Sequence, residues 1–483
     1  MRFRLDGRVV MQRPAKPLTP VRFRIQPPYD MTKEKIINSV ESIFEKKDIR
    51  IDPLEKIPFS HDWSNLESSE PLVVVFPREE KQIIDVIKLC NSSEQAFIGS
   101  GGRTGLSGGA TSINHELIIS FDKMNKILDF DEEKKIVSCQ PGLVTKHLQD
   151  FALNNDLFFP IEFSSTGSSQ IGGNIATNAG GIRVLRYGLM EKYVEGFEVV
   201  GGDGEFYNYD NKLIKNATGP DIKKLFIGSE GIFGLFSKCS IKLIDKPLET
   251  NVAILSFNDL SELNKIRNKL NSSGDLEALE FFTKKSSEQL YETNKIFNPL
   301  GLNDEYYMII EFINNSLPKI LAELTNDGLI NDVVINQNNS QKDQIWKNRM
   351  LISESIYNQK PVKFDIAVSV DNFGKLVNEI EEFSANLKVI KPILFGHIGD
   401  GNLHANFIIE DDNPNYSEIV QTLNTKIFSI IYDLNGTISA EHGIGYLKRD
   451  LYKKFASKKQ ISLLRSIKHS FDPNSLLNPN KLI

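Results

Sequence analysis

Apolar positions along this chain follow strand and helix rhythms in alternation, and the places where that pattern restarts divide it. PLVVVFP at 71–77 is a short apolar run closed by Pro77, the pattern of a buried strand. Behind it Ile83, Ile84, Ile87 and Cys90 recur at helical spacing. Further strand-like runs follow in AFIGS, ELIISF, KIVSCQ and FEVVGG, separated by glycine-rich turns. From about residue 248 the pattern starts afresh with VAILSF, YYMIIEF and VKFDIAVSV among helical stretches. A glycine-dense segment and a helix close the chain. The expected organisation is a first domain over 31–247, a second α+β domain over 248–435 and a closing segment over 436–483.

Residues 1–30 stand apart. They hold Arg2, Arg4, Arg8, Arg13, Arg22 and Arg24, five prolines, and only Asp6 and Asp30 as acids. A transit peptide is arginine-rich and acid-poor in this way, but this stretch lacks serine and a clear amphipathic period. The preferred reading is a disordered extension ahead of Met31.

With 483 residues the chain exceeds one ordinary core, so two or three domains are expected. A net charge of −6, with no basic cluster after the first 30 residues, argues against a nucleic-acid partner. No stretch approaches the roughly 18 apolar residues of a membrane span. Cys90, Cys139 and Cys239 are far apart, which excludes an iron–sulfur or zinc-thiolate module and fits a reducing compartment. Any metal must then be held by nitrogen and oxygen.

Two glycine segments carry the first functional signal. GSGGRTGLSGG (99–109) follows a strand-like run, and SSTGSSQIGGNIATNAGG (164–181) adds hydroxyls, two asparagines and five glycines. Glycine lets backbone N–H groups approach an anion closely. Neither segment has the form of a nucleotide-hydrolysing loop or opens a standard dinucleotide fold. A flavin dinucleotide in a non-Rossmann fold is the best candidate ligand. The residues expected to hold it are Gly101, Gly102, Arg103, Thr104, Gly105, Gly108 and Gly109 in the first segment. In the second they are Gly167, Ser168, Gly172, Gly173, Asn174, Thr177, Asn178, Gly180 and Gly181.

The segment ILFGHIGDGNLHANFII reads as a hairpin, with Asp400-Gly401 as a two-residue turn. That turn sets His397 opposite His404, with Cβ atoms about 5 Å apart on one face. Asn406 shares the face. Imidazoles so placed can converge on one metal. Glu441 in ISAEHGIG, following Gly436 at the end of a helix, is the candidate third ligand. Two histidines and a carboxylate leave coordination positions open for substrate. Spacing alone leaves a polar hairpin without metal as the alternative.

GGRTGLSGG, IGGNIATNAGGIRVLRYG and LFIGSEGIFG resemble the cofactor segments of the vanillyl-alcohol-oxidase (PCMH-type) flavoprotein superfamily. Within it the chain resembles the FAD-linked D-lactate, glycolate and D-2-hydroxyglutarate dehydrogenases, from about Asp62 to the terminal FDPNSLLNPNKLI. DWSNLESSEPLVVVFP, NAGGIRVLRYG and NATGPDIKKLFIGSEG look most like the D-2-hydroxyglutarate branch. The resemblance implies an α+β fold: a PCMH-type FAD-binding domain of two lobes (31–247), a substrate-binding cap (248–435), and a C-terminal segment returning Glu441, His442 and Asn478 to the flavin. Arg103 stands where covalent members carry histidine, so the FAD is expected to be noncovalent. Its side chain reaches either a flavin phosphate or solvent.

HIGDGNLHAN and ISAEHGIG resemble the metal-site segments of the D-2-hydroxyglutarate dehydrogenases at His397, His404 and Glu441, which implies a divalent metal, with zinc suiting the ligands. The implied reaction is oxidation of D-2-hydroxyglutarate to 2-oxoglutarate, with hydride passing to flavin N5. His442 is the candidate base, since an imidazole titrates near neutrality and a metal-bound hydroxyl loses its proton readily; the alternative is that it orients Glu441. Arg349 and Ser353, four apart on an expected helix, and Lys363 in an expected strand resemble the family's substrate-binding positions. Ser353 stands where threonine is usual, and the match at Lys363 needs a one-residue shift. Asn406 joins them.

The rivals are the same chemistry on D-lactate or another short 2-hydroxy acid, a catalytically inactive flavin-binding protein, and a non-redox transferase, whose histidine-rich stretch is missing. The expected partners are the hydroxy acid and a protein or quinone electron acceptor, with a homodimer left open. The expected location is cytoplasmic in a bacterium and the mitochondrial matrix in a eukaryote.

Overall fold

The computed structural model describes residues 33–483 apart from 65, 211–214, 216, 273, 314–316 and 411–412. The extension expected at 1–30 lies outside them. Two lobes form the first half. A four-stranded sheet orders Ile49–Arg50, Val74–Val75, Leu117–Ser120 and Phe97–Ser100, parallel except at its first pair. The helix Glu80–Ser92 covers it, burying Ile83, Val86, Ile87 and Cys90, which is one helical stripe. The second lobe is an antiparallel five-stranded sheet: Ile127–Asp131, Ile136–Cys139, Gly234–Lys242, Val194–Gly201 and Phe206–Asn208.

The second half is built on a seven-stranded antiparallel sheet. Its order is Asp332–Ile335, Asn251–Phe257, Tyr306–Phe312, Leu276–Thr283, Ile390–His397, Asn402–Ile409 and Val362–Ala367. Runs such as VAILSF are apolar at every position because both faces are covered. Ala253 and Leu255 pack with one cluster, Val252 and Ile254 with the other. The first face takes helices Leu263–Asn271, Leu317–Asn326, Phe373–Asn386 and Tyr416–Asp433. The second takes Lys284–Asn294 and Asn339–Met350, which cover less of it.

The chain's end returns to the first half. Leu464, Ile467 and Phe471 of the helix Lys458–Phe471 pack against the five-stranded sheet's core, and Leu477 bridges to Phe97. Arg183, beyond the second glycine segment, ties the halves together through ion pairs to Glu162 and, at 2.9 Å, to Glu311 of the large sheet.

Three local expectations are corrected. The hairpin turn has four residues, Ile398 to Gly401, and His397 pairs with Asn402. A two-residue type I′ turn needs positive φ at both central residues, and only Gly401 (φ 81°) supplies it. The helix Tyr416–Asp433 is closed by Asn435 at φ 53°; Gly436 is needed because a Cβ there would lie 2.5 Å from the Ala367 carbonyl. The helix carrying Arg349 stops at Met350 and a second short one, Ile352–Ser355, begins after Leu351. Arg349 is buried and Ser353 exposed, so they do not share a face.

Candidate active site

At the end of the large sheet's less covered face, apolar rows give way to polar ones. The four-residue turn shifts the expected pairing by two residues, which preserves parity, so His397 and His404 still share a face. They sit diagonally, His404 opposite Phe395. Each faces a carboxylate on the strand beyond: Glu280 pairs with His397, and Asp365 with His404. Glu280, His397, His404 and Asp365 thus form a row across four neighbouring strands.

Glu280 Oε1 lies 2.7 Å from His397 Nδ1, and Asp365 Oδ1 lies 3.7 Å from His404 Nδ1. Both imidazoles therefore turn Nε2 inward, 3.4 Å apart. Glu441 approaches from the C-terminal segment, Oε1 3.5 Å from His397 Nε2 and Oε2 3.9 Å from His404 Nε2. Two imidazoles on a tetrahedral dication with bonds of about 2.0–2.1 Å would hold their nitrogens roughly 3.3 Å apart. These residues fit such an ion, and the hydrogen bond between Glu280 and His397 Nδ1 orients that ring as a ligating histidine requires. Asp365, His404 and His442 also cluster, but Asp365 is already committed. Its Oδ2 accepts the N–H groups of Ala440, Glu441 and His442 at 3.1, 2.8 and 2.8 Å, and its Oδ1 takes the Asn402 amide at 2.9 Å.

Burial pushes the Glu441 carboxyl up to about 7. Burial opposes a charged His397, yet Glu280 and Glu441 outweigh it and raise the imidazole to about 9. Burial also resists ionisation of Asp365, but His442, Lys448 and His404 hold its carboxyl well below the usual range. His404 and His442 are both lowered, chiefly by burial. The rings of His404 and His442 stack at 5.7 Å, and His442 Nδ1 faces Asp365 Oδ2 at 3.8 Å.

The substrate candidates divide. Lys363 and Asn406 are cross-strand neighbours on the face of His404; Asn406 is buried, and Lys363 lines a cleft of about 900 Å³ with His442. Arg349 stacks on Phe395 and forms an ion pair with Glu280 Oε2 at 2.7 Å, so Glu280 joins it to His397. Ser353 has no polar contact among the described residues. Asp365 and Glu280 are absent from the sequence reading. The available signal was an acid inside an apolar strand, VKFDIAV and LEALEFF, where a buried charge needs partners.

The glycine segments meet each other and this site. A Cβ at Gly102 would lie 2.1 Å from the Ser168 carbonyl, so the two segments pack backbone to backbone. Gly109, Gly167 and Gly173 face open space, as a ligand cradle requires. The Ser107 hydroxyl donates to the His442 carbonyl, and a Cβ at Gly180 would come within 3.8 Å of Glu441 Oε1. Gly101, Thr104, Gly105, Gly108 and Gly172 belong to the same stretches. Arg103, in the left-handed region at φ 57°, turns back to Asp122 at 3.0 Å and covers Phe59. Several polar candidates are already engaged within the protein. Asn174 donates to Thr145, Thr177 to the Gly173 carbonyl, and Asn178 accepts from Glu191. Asn478 accepts from Gly99 N and donates to the carbonyls of Glu230 and Gly231, clamping the cofactor segments together.

The comparisons with known proteins agree with this architecture. Residues 71–210 match the family described as FAD binding domain, and 246–482 that described as FAD linked oxidases, C-terminal domain. The chain superposes on p-cresol methylhydroxylase with a TM-score of 0.75, covering 93% of this chain and 96% of that one at 14% identity. The fold is that of the PCMH-type flavoproteins. A D-2-hydroxyglutarate dehydrogenase of Stutzerimonas stutzeri is 35% identical over 94% of this chain and 99% of its own length. A Schizosaccharomyces pombe protein provisionally named a mitochondrial D-lactate dehydrogenase is 30% identical over 93% and 89%. The chain belongs to the FAD-linked 2-hydroxy-acid dehydrogenases, enzymes that use FAD to oxidise a small 2-hydroxy acid. Among the described residues no helix is long and apolar enough to cross a membrane.

Proposed function

We propose that the chain oxidises D-2-hydroxyglutarate to 2-oxoglutarate, with a divalent metal on His397, His404 and Glu441 and with His442 as base. The observation that carries this reading is the junction of the histidine row with the glycine segments, through Ser107 to His442 and Gly180 beside Glu441. The name of the Stutzerimonas relative supports the substrate. Two imidazoles and a carboxylate suit zinc.

FAD, when bound, would supply the hydride acceptor, and a dication on His397, His404 and Glu441 would supply the Lewis acidity that eases loss of the hydroxyl proton. His442 receives the hydroxyl proton at Nε2, the nitrogen turned away from Asp365, and burial lowers the pKa of that imidazole. Asp365 holds the Glu441–His442 backbone in place through its three N–H contacts. Arg349 and Lys363 take the substrate's carboxylates, with Asn406 and Ser353 as hydrogen-bonding groups. Electrons leave for a protein or quinone acceptor. Noncovalent FAD follows from Arg103 at the place of a linking histidine.

The name of the Schizosaccharomyces relative favours a second reading, the same chemistry on D-lactate. Steady-state turnover of both acids and their L-isomers, before and after chelation and zinc return, separates the two. Preference for D-2-hydroxyglutarate that disappears with the metal supports the first reading; preference for D-lactate moves the substrate, and metal-independent turnover removes the dication.

A further inference from the structure

Beside His442 the cleft of about 900 Å³ is lined by three lysines, Lys363, Lys448 and Lys454, and one acid, Asp450, together with Trp63 and Leu106. Lys448 is half-buried. A helical turn, closed by its N–H to the Ile444 carbonyl at 3.0 Å, carries it back over the Glu441–His442 loop and fixes it relative to the base. Its ammonium donates to Ser439 Oγ at 2.9 Å and makes no ion pair among the described residues. An ammonium has three donors, so two remain. The nearby carboxylates are already satisfied. Asp365 accepts three backbone N–H groups, and Glu230 takes Ile444 N at 2.7 Å and Gly445 N at 2.6 Å. Lys363 likewise has no ion pair among the described residues. It lies two positions from Asp365 on the same strand face, about 6.7 Å along the strand.

We propose that Lys448 is a further substrate-selecting residue: with Lys363 it forms the subsite for the second carboxylate of a dicarboxylic 2-hydroxy acid. This rests on the reading that the substrate is a dianion. Lys363 and Lys448 line one cleft without an ion-pair partner among the described residues, and a carboxylate between them would take charge-assisted hydrogen bonds from both. A monocarboxylate such as D-lactate has nothing to place there, so Lys448 acts on selectivity.

The test compares kcat and KM for D-2-hydroxyglutarate and D-lactate in wild type, Lys448→Met, Lys448→Arg, Lys363→Met and the double methionine variant, with flavin and metal content measured on each. For Lys448→Met the ratio of kcat/KM for D-2-hydroxyglutarate over D-lactate should fall roughly 10- to 100-fold, mostly through KM, as expected for losing one charged hydrogen bond. Lys448→Arg should recover most of it, and the double variant should lose less than the two single losses combined, because both groups meet one carboxylate. Equal losses on both acids, or loss of metal or flavin, would overturn the subsite and make Lys448 a support for Ser439 and its loop. A wild type that prefers D-lactate would overturn the dianion reading itself, a result read without any variant.

Discussion

Two regions of the molecule bury carboxylates and treat the charge differently. In the first lobe Asp48 meets Arg78 through two contacts of 2.7 and 3.0 Å and Lys123 at 2.6 Å. Arg78 and Lys123 hold its carboxyl at about 2 against the pull of burial. At the end of the large sheet Glu280 has an ion-paired cation in Arg349, while Asp365 and Glu441 have no ion-paired lysine or arginine among the described residues. Their other partners are imidazoles and backbone N–H groups, and Glu441 is left near 7. Burial of an acid is common to both places; a surplus of negative charge among imidazoles is not. That surplus suits a dication, which is why we assign one here and a purely structural role to Asp48.

Removing a ligand should break the contrast most. Glu441→Gln should lose its metal and, with it, several kcal/mol of charge stabilisation, roughly a 10⁴-fold drop in kcat; metal analysis alongside turnover checks it. Full turnover with normal metal content would free Glu441 of that role. His442→Gln should lower kcat by roughly 10²- to 10³-fold while metal and flavin stay bound, and the limb of the pH–rate profile that reports the base should vanish. Glu280→Gln keeps an acceptor for His397 Nδ1 but removes the charge, so metal affinity in chelator competition should weaken about 10- to 100-fold. An unchanged affinity would make Glu280 a partner of Arg349 alone.

The smallest effect belongs to the other region. Asp48→Asn should cost about 1–3 kcal/mol in urea unfolding at neutral pH and leave turnover intact. Because the folded carboxyl titrates lower than the unfolded one at 3.8, its contribution is whole above that value. It is lost as pH falls through about 2, so wild type and variant should converge there. A gap that persists at pH 2 would assign the loss to packing.

The site was legible where a strand's period of two decides the answer. His397, His404 and Asn406 share a face whether a two- or a four-residue turn closes the hairpin, because an error of two in register keeps parity. The turn itself was not legible, since Asp-Gly permits more than one loop length. Glycine density marked the cofactor segments because close backbone approach leaves a compositional trace, as at Gly102 against Ser168. Partners from distant strands leave none. Glu280 and Asp365 are single acids in apolar runs, and only the pairing of strands far apart in sequence sets them behind the histidines. The commitment of Arg103 to Asp122 and of Asn478 to Gly99, Glu230 and Gly231 was hidden for the same reason.

The most direct test of the metal-assisted oxidation is anaerobic mixing of the FAD-loaded protein with D-2-hydroxyglutarate while following the visible flavin band, with chelated and zinc-restored samples in parallel. Bleaching that chelation abolishes and zinc restores is the predicted result; bleaching at the same rate without metal would contradict it.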